Sequence, residues 1–191
     1  MTTLVKTLLA VIFLVTFSAS QLTAQCDNMR PYNGLIATIA KDAIVGQTFL
    51  ISEDCLDGSA FSTFEISHQA KWETNITLKI YEGQSVKSSN LVYTQENIIV
   101  PNSDEKGNNF VIKLEGGKGK LAAKSCSMYT VTLQPTNNQF RWNGEPNDKA
   151  QPGIAYWPNK GGMFVHNGFD YLYKVTFTNK DKATSTKTQK N

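Results

Sequence analysis

The stretch Asn75-Ile76-Thr77-Leu78-Lys79-Ile80-Tyr81-Glu82-Gly83 decides the fold. Ile76, Leu78 and Ile80 occupy alternate positions, with Thr77, Lys79 and Tyr81 between them. Successive Cβ atoms of an extended chain point to opposite sides, so this pattern buries one face and wets the other. An amphipathic helix would need its apolar residues three and four apart instead. The segment therefore reads as a half-buried strand, and Glu82-Gly83 supplies the turn that ends it.

The same alternation extends outward in both directions. FSTFEIS (61–67), LVYTQENIIV (91–100), NFVIKLE (109–115), MYTVTLQ (128–134) and YLYKVTFTN (171–179) are rich in β-branched and aromatic residues. Turn-forming pairs stand between or beside them: Asp57-Gly58, Pro101-Asn102-Ser103-Asp104, Gly116-Gly117 and Asn143-Gly144. Helical periodicity is nearly absent. Short strands at this spacing predict an all-β chain, a jelly-roll β-sandwich of about eight antiparallel strands. Residues 134–162 interrupt the pattern with Pro135, Pro146, Pro152 and Pro158, and carry two of the three tryptophans. Proline cannot donate to a strand ladder, so this stretch reads as loop or sheet edge, pinned by its aromatic residues.

The first residues have the layout of an export signal. Lys6 is followed by the apolar run LLAVIFLVTF (8–17) and then by Leu22-Thr23-Ala24. The run is well short of the ~20 residues that a membrane span needs. Cleavage after Ala24 is expected, with an uncleaved anchor, or lipid attachment at Cys26, as the alternatives; Gln25 is larger than the residue that normally precedes a lipidated cysteine. The chain then divides into a signal peptide (1–24), one β-sandwich domain (25–179) and a basic disordered tail (180–191), and its expected location is secreted, periplasmic or extracellular. Three cysteines enter an oxidising compartment. Cys55 and Cys126 stand beside predicted strands while Cys26 lies at the terminus, so a Cys55–Cys126 disulfide is expected, with one thiol left over.

The formal charge of +3 is misleading. Removing Lys6 with the leader, and four lysines and one aspartate with the tail, leaves the body at −1. Such a body has no basic footprint for nucleic acid, and no second segment is apolar enough to span a membrane.

The order of the segments GQTFLISEDCLDG, FSTFEIS, NITLKIYEG, LVYTQENIIVP, NFVIKLEGG, YTVTLQ, GIAYWPN and DYLYKVTF resembles the galactose-binding-like jelly-roll modules of secreted bacterial proteins. The likeness runs over residues 46–179. It implies a carbohydrate-binding or surface-binding role, usually exercised beside a larger exported partner domain. The lysine-rich GKGKLAAKSCS before YTVTLQ departs from that pattern.

The aromatic-rich loop is where such a role would be carried out. Sugar recognition needs flat apolar faces, which Trp142, Tyr156 and Trp157 supply, and planar polar groups, which Arg141, Asn143 and Glu145 supply together with Asn147 and Asp148. The competing reading has Trp142 and Tyr156 packing over the end of the core. Glu53, Asp54 and Asp57, or Glu145, Asn147 and Asp148, have the oxygens for calcium but not the spacing of a calcium loop, and turn formation accounts for them equally well. No other cofactor is expected. His68 and His166 are the two histidines and neither stands in a nucleophile–base motif. Glu145 and Asp170 are the sort of carboxylate pair that hydrolysis would require, but their spacing does not establish that they meet. The expected function is non-catalytic binding of a glycan or cell-surface component. The alternative is a structural or adhesive exoprotein that binds another exported protein, and a hydrolase ranks third.

Overall fold

A computed structural model describes residues 25–27, 35–51, 60–103, 107–114, 121–124, 126–146, 155–159, 162–166 and 169–178. Among them are thirteen strands: β1 (Gln25–Asp27), β2 (Leu35–Ile39), β3 (Val45–Leu50), β4 (Ala60–Gln69), β5 (Thr74–Glu82), β6 (Leu91–Val100), β7 (Asn108–Lys113), β8 (Met128–Pro135), β9 (Phe140–Pro146), β10 (Ala155–Asn159), β11 (Gly162–His166), β12 (Phe169–Tyr171) and β13 (Tyr173–Thr178). One 3-10 turn, Ser88–Asn90, leads into β6. The expected leader (1–24) and tail (180–191), Cys55, and both calcium candidates apart from Glu145, lie outside the described residues.

The strands form two antiparallel sheets. One holds seven, in the path β1-β13-β4-β9-β12 with β2 added on β9 and β7 on β4; the other holds six, in the order β11-β10-β3-β8-β5-β6. The all-β sandwich is therefore the observed architecture. The expected count of about eight strands is too low among the described residues, where thirteen are found. The strands that pattern reading missed include β1, β2, β10, β11 and β12, of three to five residues each. Such lengths give a period of two too few repeats to register. The chain changes sheet at β2–β3, β3–β4 and β4–β5, again at every connection from β6 to β10, and at β11–β12, the crossing habit that a jelly-roll reading expects.

Inner-face residues of both sheets make the core. In β5, Ile76 and Leu78 are 0% exposed and Ile80 is 1% exposed, as the alternation requires. Tyr81, on the opposite face of β5, is buried as well, at the place where β6 carries an extra residue, Val92, between its pairings to Ile80 and Tyr81. A line of aromatic rings runs through the sandwich. Phe177 meets Phe61 (4.9 Å between centroids), Phe61 meets Phe49 (6.3 Å), and Phe49 meets Tyr173 (5.7 Å). Tyr173 stacks on Phe64 (6.0 Å), Phe64 stands edge-on to Trp142 (6.2 Å), and Trp142 stacks on Tyr171 (4.2 Å). Each such pair adds about 0.5–1.5 kcal/mol beyond the area it buries.

β4 is the hub of the larger sheet. It pairs with β7 on one side, and on the other with β13 along Ala60–Ile66 and then with β9 at His68 and Gln69. The handover takes place at Leu172, between β12 and β13. Its carbonyl accepts the Ser67 N–H (3.3 Å) and the Trp142 Nε1–H (2.9 Å), and its N–H donates to the Asn143 carbonyl (2.9 Å).

Candidate functional site

Register places several connections at one end of the sandwich. β2 meets β9 with Ile39 opposite Phe140, β3 meets β8 with Val45 opposite Leu133, and β5 meets β6 with Thr74 opposite Val100. The turns at residues 40–44, 70–73 and 136–139, and the chain leaving β6 at 101–103, therefore share that end. β10 runs antiparallel to β3, with Tyr156 opposite Gly46, so the backbone of 157–159 heads the same way.

Backbone acceptors and asparagine side chains tie these turns together. The Asp42 N–H donates to the Pro135 carbonyl (2.8 Å), and the Asn75 N–H donates to Asn137 Oδ1 (2.8 Å). Asn138 Nδ2 donates to the Glu73 carbonyl (2.9 Å). The Thr74 hydroxyl reaches both the Trp72 carbonyl (3.1 Å) and the Gln139 carbonyl (3.4 Å). Ser103 donates its N–H to the Ala70 carbonyl and accepts the Ala70 N–H on Oγ, both at 2.8 Å. The 70–73 turn is thus held from three sides by groups that leave its own side chains unused.

Those side chains are Lys71, Trp72 and Glu73, all exposed. Trp72 is 50% exposed, and Lys71 Nζ rests 4.8 Å from the centre of its ring. On the neighbouring strand, Arg141 stands opposite Gln69, at the threshold of the turn, and is also exposed. Trp72 did not stand out in sequence reading. The available signal was a tryptophan in a short polar interval, Lys71-Trp72-Glu73, between two confident strands.

The expected contact set is divided by the structure. Arg141 lies on the surface of this end. Trp142 does not: it is 0% exposed, points inward from β9 and stacks on Tyr171, so its place as a ligand contact is corrected to a core residue. The cause is that β9 is an interior strand, flanked by β2 on one side and by β4 and β12 on the other. Asn143 is corrected likewise; it is 0% exposed and its Nδ2 donates to Ser67 Oγ (2.9 Å). Tyr156 and Trp157 pair through the backbone with Val165 and Phe164 in the β10–β11 hairpin, and their side chains lie outside the described set. The same is true of the side chain of Glu145, which pairs with Asp170 across β9 and β12. Asp170 is buried, with Oδ1 accepting from Gln47 Nε2 (3.2 Å), so this carboxylate braces the interior. Cys126 is exposed and adopts φ 54°, while its expected disulfide partner, Cys55, lies outside the described residues. Among the described residues no group of three His, Cys, Asp or Glu side chains is placed to hold a metal ion.

Behind the surface lies a polar seam. Gln47 links the sheets by donating to Asp170 and accepting the Tyr171 N–H on Oε1 (3.0 Å). His68, opposite Trp142, is 0% exposed, stacks on Phe140 (5.9 Å) and meets the edge of Phe110 (6.1 Å). Neither ring nitrogen has a hydrogen-bond partner among the described residues. Loss of hydration disfavours the imidazolium and lowers the His68 pKa from 6.5 to about 4. Burial likewise pushes the Tyr171 phenol upward. The histidine is therefore a buried, neutral packing group, unsuited to exchanging protons with a substrate.

No family model matches the chain, and no curated protein matches it. No helix among the described residues is long and apolar enough to cross a membrane.

Proposed function

We propose that this protein is an exported, non-catalytic binding module that recognises carbohydrate on a glycan or cell surface through the turn-bearing end of its sandwich. One observation carries the reading: Trp72 holds an indole half open to water on a turn fixed by neighbouring backbone and asparagine groups. Tryptophan is largely buried on average. An indole presented on a rigid turn offers a flat apolar face to the C–H face of a sugar ring at little cost in ordering. Arg141 supplies hydrogen-bond donors at the same end, and Trp157 and Tyr156 belong to the hairpin directed there. The export signal and the likeness to galactose-binding-like modules support the same role.

A glycan array probed with wild type, Trp72→Ala and Trp157→Ala tests it. Binding by wild type that Trp72→Ala abolishes is expected. Absence of any wild-type hit, or full binding by Trp72→Ala, would overturn it.

The second reading is a structural or adhesive exoprotein that takes a protein partner, and β6 favours it. Among the described residues β6 pairs with β5 alone, and it exposes Leu91 (38%), Val92 (38%) and Ile99 (56%). An open edge of this kind can accept an added strand. Recovery of one stoichiometric protein from the parent envelope, unaffected by added sugars, would select this reading.

A further inference from the structure

We infer that the Trp72 surface selects acidic sugars, those bearing a ring carboxylate, over neutral ones. The inference rests on the carbohydrate reading above and adds the class of ligand. It comes from what already occupies the indole. Lys71 Nζ lies over the Trp72 ring at 4.8 Å, the place where the C–H face of a sugar would settle. A neutral sugar must displace that ammonium and offers it only hydroxyl oxygens in return. A uronic acid displaces it too, but its carboxylate then receives the ammonium as an ion pair while the sugar ring takes the indole face.

Two further facts favour an anion. Glu73 is the one acid on the same turn, yet the Lys71 ammonium rests on the ring and makes no ion pair with it. Arg141, beside the turn across the Gln69 pairing, makes no ion pair or hydrogen bond through its guanidinium among the described residues. A planar fork of five N–H donors standing open at the surface suits a carboxylate in a bidentate grip. The ligand would therefore lie with its ring on Trp72 and its carboxylate on the Lys71 ammonium, with Arg141 as a second cation at the same end.

The test is affinity electrophoresis and calorimetry of the purified chain against polygalacturonate and alginate. Neutral galactan and mannan, dextran sulfate and polyglutamate serve as comparison arms. Polyuronate binding well above neutral-glycan binding is expected. It should weaken about five-fold in Lys71→Gln and in Arg141→Gln, and should be lost in Trp72→Ala. Neutral glycans should bind Lys71→Gln at least as well as wild type. If galactan or mannan binds as tightly as the polyuronates, or Lys71→Gln leaves polyuronate affinity unchanged, the selectivity is refuted while carbohydrate binding stands. Equal binding of polyglutamate or dextran sulfate would reveal general attraction to polyanions and refute it too. If no glycan binds, both readings fall together.

Discussion

Lowering the pH should destabilise this protein through one residue, His68. At pH 7 the imidazole is neutral in the folded and unfolded chain alike. As pH falls, the unfolded chain takes up its proton near the ordinary 6.5, whereas the folded chain resists until about 4. Across that window the unfolded state binds more protons, so stability present above pH 6.5 is progressively lost on acidification. The gap between 6.5 and about 4 corresponds to about 3 kcal/mol at 1.36 kcal/mol per unit, a large share of the 5–15 kcal/mol typical of a folded domain. Urea unfolding followed by tryptophan fluorescence at pH 7, 6, 5 and 4 would measure it, with wild type compared against His68→Phe. Taking the difference removes the carboxylates and His166, which both proteins share. The variant keeps the stacking on Phe140 and discards two ring nitrogens that have no partner among the described residues. At pH 7 it should therefore match or exceed wild type by up to about 1 kcal/mol. Its advantage should widen by about 3 kcal/mol at pH 4. A wild-type-minus-variant difference that stays within about 0.5 kcal/mol from pH 7 to 4 would refute a buried neutral imidazole. So would an NMR titration placing the His68 midpoint near 6.5.

Other perturbations have equally definite outcomes. Gly107→Ala places a Cβ 2.6 Å from Asn143 Nδ2 and 3.1 Å from the His68 carbonyl at φ +79°; a loss of about 1–3 kcal/mol in urea unfolding is expected. Trp142→Phe removes the bond to the Leu172 carbonyl and part of the stack on Tyr171. It should cost about 2–4 kcal/mol in the same assay while leaving any glycan binding by the folded fraction intact. Loss of binding without loss of stability would return Trp142 to the ligand-contact set.

Where the alternation was long, sequence and structure agree. β5 and β8 are central strands of the smaller sheet, and their periodic residues, such as Leu78, Val131 and Leu133, face inward at 0% exposure. β4 extends past its legible part to Gln69, and Ser67, His68 and Gln69 are buried in succession. Period two did not foresee this, because the end of β4 is an interior stretch, paired with β7 on one edge and β9 on the other, with Gly107 lying close to the His68 carbonyl and the Gln69 side chain. The proline-rich stretch misled for a physical reason. Pro135 is the last residue of β8 and Pro146 the last of β9, so they bound a strand and do not interrupt it. Trp142 consequently moved from an expected loop into the core. The exposed indole of the candidate site sits instead in the 70–73 turn, where no periodic signal exists to find it.

The fastening of the 70–73 turn has an engineering consequence. Its anchors are carbonyls and amides of the main chain, held by Thr74, Asn138 and Ser103, whereas Lys71, Trp72 and Glu73 project their side chains outward. What fixes the loop and what it displays are separate sets of atoms. Such a position tolerates exchange of three successive residues without disturbing the scaffold, which makes it a natural place to graft a new specificity, or for drift to have tried many.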